Sequence, residues 1–144
     1  MYGESVKRVS RKFRFGLERP EILREIRVAK PQGKFGHAYQ KAPHPASGFA
    51  VVGVAANLTL NADGSCASAS LGVTGVGNKA YRPAGTEAAL VGKTLDDQTI
   101  SAAAAKICDG VDANSDLYAS AEYRKHLATV HASRAIKAAL SRAS

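Results

Sequence analysis

Four histidines, two cysteines and one glycine-rich run are the residues of this chain from which chemistry would first be expected. Their spacing decides against most of it. His126 and His131 stand five positions apart, about 140° round a helix, so they do not chelate one metal as an i,i+4 pair does. His37 and His44 have no metal-ligand spacing to each other or to a cysteine. Cys66 and Cys108 have no CxxC partner, which leaves neither a zinc ligand set nor a disulfide framework, and both read as buried, reduced thiols. The run Gly72-Val73-Thr74-Gly75-Val76-Gly77-Asn78-Lys79 invites comparison with a phosphate loop, because closely spaced amides ahead of a helix bind anions. A P-loop, however, needs Gly-Lys-Ser/Thr leading directly into the helix. Here Asn78 separates Gly77 from Lys79, Ala80 follows, and Pro83 intervenes. The G-x-G-x-x-G order is absent too, and the run reads as an irregular connection from strand to helix. Ser47 lies in Ala46-Ser47-Gly48 without the first glycine of a G-x-S-x-G elbow. The carboxylates gather at expected helix ends, where capping accounts for them. No self-contained catalytic constellation is present.

The elements that must position these side chains follow from periodicity and turn chemistry. Arg19-Pro20-Glu21 reads as a turn into a short strand from Ile22 to Val28, closed by Pro31 and Gly33. A second short strand, Phe35 to Gln40, is ended by Ala42-Pro43-His44-Pro45, since proline donates no ladder hydrogen bond. From Phe49 to Leu60 the chain is long and rich in valine. Phe49, Val51, Gly53 and Ala55 fall on one parity, and Ala50, Val52, Val54, Ala56, Leu58 and Leu60 on the other. Asn61-Ala62-Asp63-Gly64 is a turn, and Cys66 to Thr74 alternates again, so these two strands form a β-hairpin whose small residues suit close coverage by helices. Gly85-Thr86-Glu87 starts a short helix ending at Gly92. Thr94-Leu95-Asp96-Asp97 is a cap of the T-x-x-D kind, opening a helix that stops near Gly110. After a loop with Asp112, Asn114 and Asp116, a final helix runs from about Ala119 to Arg142, with Tyr123, Leu127 and Val130 on one face and Ala132, Ile136 and Leu140 round from it. Strands followed by helices argue an α+β fold: an antiparallel sheet of about three strands with a small helical bundle packed on one face.

At 144 residues and 45% hydrophobic content the chain suits one domain with one core. The formal charge of +8 is uneven: residues 1–41 hold 11 basic and 4 acidic side chains, and the remainder hold 9 and 8. A basic N-terminal segment, residues 1–19, is therefore expected ahead of a nearly neutral domain, residues 20–144. Lys7, Arg8, Arg11, Lys12 and Arg14 interleave with Phe13 and Phe15, a pattern that a nucleic-acid surface shares. Ordinary solvated charge explains the run more simply. No stretch approaches a membrane span, and no apolar stretch follows the basic N-terminus as in a signal peptide, so a soluble cytoplasmic chain is expected.

Several segments, taken in order, carry a resemblance. They are Glu21-Ile22-Leu23-Arg24-Glu25-Ile26-Arg27-Val28, the stretch His44 to Ala56, the hairpin, Ala88-Ala89-Leu90-Val91-Gly92-Lys93, and above all the text from Ser115-Asp116 through Ala119-Ser120-Ala121-Glu122-Tyr123-Arg124 to His126-Leu127-Ala128. Over roughly residues 20–142 the chain resembles the C-terminal domain of the FAD-binding medium subunit of the molybdenum hydroxylases, the family of carbon monoxide dehydrogenase and xanthine dehydrogenase.

The resemblance implies a part in electron transfer. In that family a molybdopterin large subunit oxidises substrate, an iron–sulfur small subunit relays electrons, and FAD in the medium subunit delivers them to an acceptor. It also implies cofactor-facing residues. Ala38-Tyr39-Gln40-Lys41 matches the family's AY-x-K text, so Tyr39 is expected to shield a face of the isoalloxazine ring and Lys41 to meet a polar edge or a phosphate. A full medium subunit is about twice this length, and its glycine-rich FAD loops have no counterpart here. The chain is accordingly expected to help form the FAD site and a subunit interface without binding FAD unaided and without an active site of its own. Tyr123 is expected in the core, and Arg124 paired with Asp116 or Glu122 or facing a neighbouring subunit. A basic nucleic-acid-binding module and a stand-alone dimerisation domain, that is a homo-oligomer, are the alternatives.

Overall fold

The computed structural model describes residues 33–143. The expected strand from Ile22 to Val28, the basic segment, and the boundary between residues 19 and 20 lie outside the described residues. Three strands, β1 (Lys34–Pro43), β2 (Ala50–Leu60) and β3 (Cys66–Thr74), form one antiparallel sheet in the order β1-β2-β3. Three helices follow: α1 (Ala84–Leu90), α2 (Asp97–Ala104) and α3 (Ala121–Ser141). This is the α+β arrangement that the order of patterns implied.

The hairpin turn is held by its own polar groups. Asp63 accepts from the Ser65 backbone N–H at 2.9 Å and from its hydroxyl at 2.6 Å, and Gly64 supplies the left-handed conformation at φ 85°. The Ser65 hydroxyl, ahead of its N–H, holds the Asp63 carboxyl below the usual carboxylate range. Strand β1 is longer than the expected Phe35 to Gln40. Proline at 43 is tolerated because the register shifts between Ala42 and Pro43, so no ladder donation is asked of it. The free edge of β3 is closed by the chain that follows it. Gly92 N–H donates to the Cys66 carbonyl at 2.7 Å, Glu87 accepts the Leu71 N–H at 2.7 Å, and Val73 exchanges two backbone bonds with Tyr81. The run after Gly72 is thus an irregular connection, as its sequence implied.

One face of the sheet makes the core. Ala38, Val54, Ala56, Leu58, Leu71 and Val73 are buried beneath the helices. The facing surface of α3 is built from Ala128, Ala132, Ala135, Ile136 and Ala139 at spacings of three and four, with Arg124 and His131 on the same side. Small side chains let this helix approach closely: a Cβ placed on Gly36 in β1 would collide with the Ala139 carbonyl oxygen. Tyr123, expected in the core, is 52% exposed, and Arg124 takes the inward position instead. The helical phase that turns the alanine stripe inward puts position 124, and not 123, on the sheet side.

Helix α3 is capped by Ser120, whose hydroxyl accepts the Tyr123 N–H at 3.2 Å. The cap of α2 is Asp96, accepting from Thr99 N–H at 2.7 Å, rather than the Thr94 of the expected T-x-x-D box; beyond Ala104 the chain continues in turns to Gly110. Both cysteines are free, and burial pushes both thiols up, away from thiolate chemistry. Tyr81 clasps the turn after α2, donating to the Ile107 carbonyl at 3.0 Å. No described helix is long and apolar enough to cross a membrane.

His131 gives the fold a pH dependence. It is buried, its Nδ1 has no hydrogen-bond partner among the described residues, and burial, then the charge of Arg134, lower its pKa. Folding therefore favours the neutral imidazole. The stability this affords is complete above the unfolded value near 6.5 and declines as pH falls below it, because the unfolded chain takes up the proton first. Urea midpoints measured between pH 7.5 and 5 should fall for the native chain. The part of that slope due to this imidazole should be missing in His131→Gln, and identical slopes in the two proteins would refute the assignment.

Candidate functional site

The other face of the sheet is not covered by α3. Register places Tyr39 opposite Ala55, which stands opposite Gly72, and Lys41 opposite Gly53, which stands opposite Thr74. Because side chains alternate along a strand, all of these share the face away from the core. The floor is small and flat, and two side chains of β1 stand on it. Tyr39 is 53% exposed and lies across Gly53: a Cβ at Gly53 would meet the tyrosine hydroxyl. A Cβ at Gly72 would meet nothing within 4 Å, so the floor beside the tyrosine is open. The structure thus brings together the two residues that the sequence singled out, Tyr39 and Lys41.

Lys41 already has a task. Its Nζ donates to the Gly48 carbonyl at 2.8 Å, which ties the β1–β2 connection to the strand. That connection is further closed by His44, whose N–H donates to the Phe49 carbonyl at 2.7 Å and whose Nδ1 accepts from Ala46 and Ser47 N–H. Ser47 is a turn residue, its hydroxyl accepting the Phe49 N–H at 3.3 Å.

The same end of the sheet holds the most connected polar group of the fold. Arg124 Nη1 donates to the Val51 carbonyl at 2.8 Å and the Gly75 carbonyl at 2.7 Å, and Nη2 pairs with Asp116 Oδ2 at 2.6 Å. Asp116 Oδ1 accepts from the N–H groups of Tyr118 and Ala119, both at 3.0 Å. Those two donors, ahead of the Arg124 charge, hold the Asp116 carboxyl below its ordinary value. The guanidinium therefore joins β2, the end of β3 and the loop before α3. Of the two acids that the sequence offered Arg124, the partner is Asp116.

Sequence reasoning did not single out three exposed side chains here: Phe49 (79%), Leu117 (100%) and Tyr118 (69%). The Tyr118 ring meets His44 edge-on, with centroids 4.4 Å apart. Strand parity is no guide to Phe49, which precedes β2 beyond the register shift at Ala42/Pro43. Among the described residues no cluster of three or more His, Cys, Asp or Glu could hold a metal ion, and His126 is exposed while His131 is buried. What the face offers is an aromatic ring beside an open floor, an arrangement for lying against a planar group.

Comparison with known proteins agrees with this architecture. Residues 37–139 match the family model described as CO dehydrogenase flavoprotein C-terminal domain. The chain is 34% identical over 128 residues to the carbon monoxide dehydrogenase medium chain of Afipia carboxidovorans, covering 88% of this chain and 44% of that one. It is 30% identical over 123 residues to the 6-hydroxypseudooxynicotine dehydrogenase complex subunit alpha of Paenarthrobacter nicotinovorans, covering 85% and 42%. In three dimensions it superposes on carbon monoxide dehydrogenase from Hydrogenophaga pseudoflava with a TM-score of 0.75 and 27% identity, covering 81% of this chain and 40% of that one. The chain spans less than half the length of these relatives.

Proposed function

The chain belongs to the CO dehydrogenase flavoprotein C-terminal domain family, and from that premise we propose that it is one wall of a flavin site in a molybdenum hydroxylase medium subunit, with no bond-making step of its own. The observation that carries this reading is Tyr39, a half-exposed aromatic fixed by register next to the open floor at Gly72. FAD, when bound, supplies the electron transfer. The residues of this chain position it and keep water from it. Tyr39 covers a face of the ring. Lys41 has one N–H engaged with the Gly48 carbonyl, and its remaining donors serve a polar edge or a phosphate. The remainder of the site, including the main grip on the phosphates, belongs to the flavin-binding portion that medium chains of greater length carry. In the assembled enzyme the partners are a molybdopterin large subunit and an iron–sulfur small subunit, and the large subunit selects the substrate.

A chimera tests this. The matching portion of the Afipia carboxidovorans medium chain is replaced by this chain, and flavin content and affinity are read by absorbance and fluorescence. The chimera should hold FAD, and Tyr39→Ala should weaken it about tenfold, in line with about 1–3 kcal/mol per stacked ring. The 144-residue chain alone should take up none. Unchanged affinity in Tyr39→Ala would remove the ring-covering role.

A further inference from the structure

We infer that Asn57 and Ser70, side by side on the open face of the sheet, orient the flavin by hydrogen-bonding the imide edge of its pyrimidine ring; the identity of that ligand rests on the flavin-wall reading. Register sets the two residues together. His37 lies opposite Asn57 and Asn57 opposite Ser70, so the three form one row across β1, β2 and β3, and the row of Tyr39, Ala55 and Gly72 is the next along the same face. Neither shift in the ladder, at Ala42/Pro43 or at Thr59/Leu60, falls between these rows. All three side chains of the polar row are exposed.

Asn57 is the residue of this row that the fold does not account for. It stands well inside the central strand, where asparagine is disfavoured because it fits a pleated surface poorly. Asn61, by comparison, is explained by the hairpin turn, in which its amide donates to the Ser65 hydroxyl at 2.9 Å. The Asn57 carboxamide makes no hydrogen bond among the described residues, so a donor and an acceptor stay free. Ser70 is prepared differently. Its oxygen accepts from Arg82 Nη2 at 3.2 Å, and Glu87 holds that guanidinium, accepting from Nε at 3.0 Å and from Nη2 at 2.9 Å. The guanidinium takes one lone pair and turns the Ser70 hydroxyl proton away from itself. At the β1 end of the row His37 is stacked on Phe35, with centroids 5.7 Å apart.

The groups in the row select the ligand edge. A carboxamide pairs with an N–H and an adjacent C=O together, and a hydroxyl donor one strand away, about 4.8 Å across, serves a second C=O. An N–H flanked by two carbonyls is an imide, the edge that a flavin carries on its pyrimidine ring. A phosphate, which only accepts, would leave the Asn57 carbonyl without a donor, and an apolar surface would bury the amide unpaired. The floor joins this row to Tyr39. The tyrosine ring lies across Gly53, on the side away from Asn57, and a Cβ at Gly72 meets nothing within 4 Å, so the strip over Ala55 and Gly72 is uncovered. The two rows are about 7 Å apart, two residues along a strand. A ring system held against Tyr39 and extended over the strip brings its polar end to Asn57 and Ser70. Stacking on Tyr39 accepts any flat ring in any in-plane direction, whereas the polar row fixes which end points where.

The test uses the Afipia carboxidovorans chimera, freed of flavin, and two probes titrated by flavin fluorescence: FAD, and FAD methylated at the imide nitrogen. With Asn57 present, the methylated flavin should bind about tenfold more weakly than FAD, the scale of one lost hydrogen bond with its partner left unpaired. Asn57→Leu should bind FAD about fivefold more weakly than the parent and bring the two probes to within about twofold of each other, because the group that sensed the imide N–H is gone. A parent that binds both probes alike, or an Asn57→Leu variant that keeps the difference, would overturn the proposal. Ser70→Ala should weaken both probes equally, by about fivefold, since the carbonyl it serves is present in both. Unchanged affinities there would overturn it too. Both positions are exposed, so both variants should leave the melting temperature of the 144-residue chain unaltered. The flavin wall fails separately. If Tyr39→Ala leaves FAD affinity intact while Asn57→Leu erases the difference between probes, the ring-covering role falls and the polar row stands. If Tyr39→Ala weakens FAD binding and the difference survives in Asn57→Leu, the reverse holds.

Discussion

Arg124→Met is expected to destabilise the domain by about 3 kcal/mol, the scale on which leaving two backbone carbonyls without their donor acts. The guanidinium is almost wholly buried and donates to two backbone carbonyls as well as to Asp116. Methionine fills much of the volume, so the loss is that of the donors and not of packing. It leaves the Val51 and Gly75 carbonyls, from strand and connection, without their partner, and unpaired buried acceptors are the costly outcome. Arg124→Lys should recover only part of the loss, because one ammonium does not reproduce a planar fork that reaches three acceptors. Asp116→Asn should be milder, since that side chain is half exposed and water replaces what the arginine gave it. Urea denaturation of the three variants ranks them. If Arg124→Met and Asp116→Asn prove equal, the carbonyl contacts contribute nothing and the network reduces to one surface ion pair. There is also an acid signature. The Asp116 carboxyl is held low in the folded state, so its contribution is complete above the ordinary carboxylate value and is lost as pH falls through the folded one; Asp116→Asn should flatten that limb of the stability curve.

The sheet was legible because two independent signals agreed. Parity from Ala50 to Leu60 assigned the core face, and Asn61 to Gly64 fixed where the chain reverses, although the register shift between Thr59 and Leu60 had no signal in the sequence. The ends of elements were less legible. Pro43 would end a strand unless a bulge relieves it, and a bulge has no pattern of its own in one sequence. Asp96 and Asp97 with Thr94 offer overlapping caps, and which side chain bonds depends on where the backbone turns. Helix α3 shows the deeper reason. Apolarity points Tyr123 inward, whereas the helix turns its alanine stripe and Arg124 to the sheet, and the close approach that small residues allow, seen at Gly36 against Ala139, is a match between distant segments that periodicity does not show. Tyr39 and Lys41 were reachable through the AY-x-K resemblance and in the fold share the open face; the patch of Phe49, Leu117 and Tyr118 was not, because it joins two loops 68 positions apart between Phe49 and Leu117. Chemistry that depends on local spacing is read early, and surfaces assembled by the fold are read late.

That helix-to-sheet distance leads to the second large effect, at Gly36. An alanine there would place its methyl carbon against the Ala139 carbonyl oxygen, with the Ala143 N–H and the Ala139 carbonyl carbon also within 3.0 Å. All of these are backbone atoms, so no side chain can rotate away. The helix must lift from β1 by on the order of 1 Å, and the close packing of Ala135, Ile136 and Ala139 is loosened along its length. Overpacking of this kind costs about 1–3 kcal/mol, and a rigid neighbour puts Gly36→Ala at the upper end. For a domain of this size that lowers the melting temperature by on the order of 10 °C. Gly72→Ala is the control within the same sheet, since a Cβ there meets nothing, and it should shift the melting temperature little. The pair separates two meanings of a strand glycine. If both variants melt alike, close approach of the helix is not what holds position 36 as glycine. If Gly36→Ala alone collapses, the close approach of β1 and α3 at Ala139 is what holds position 36 as glycine.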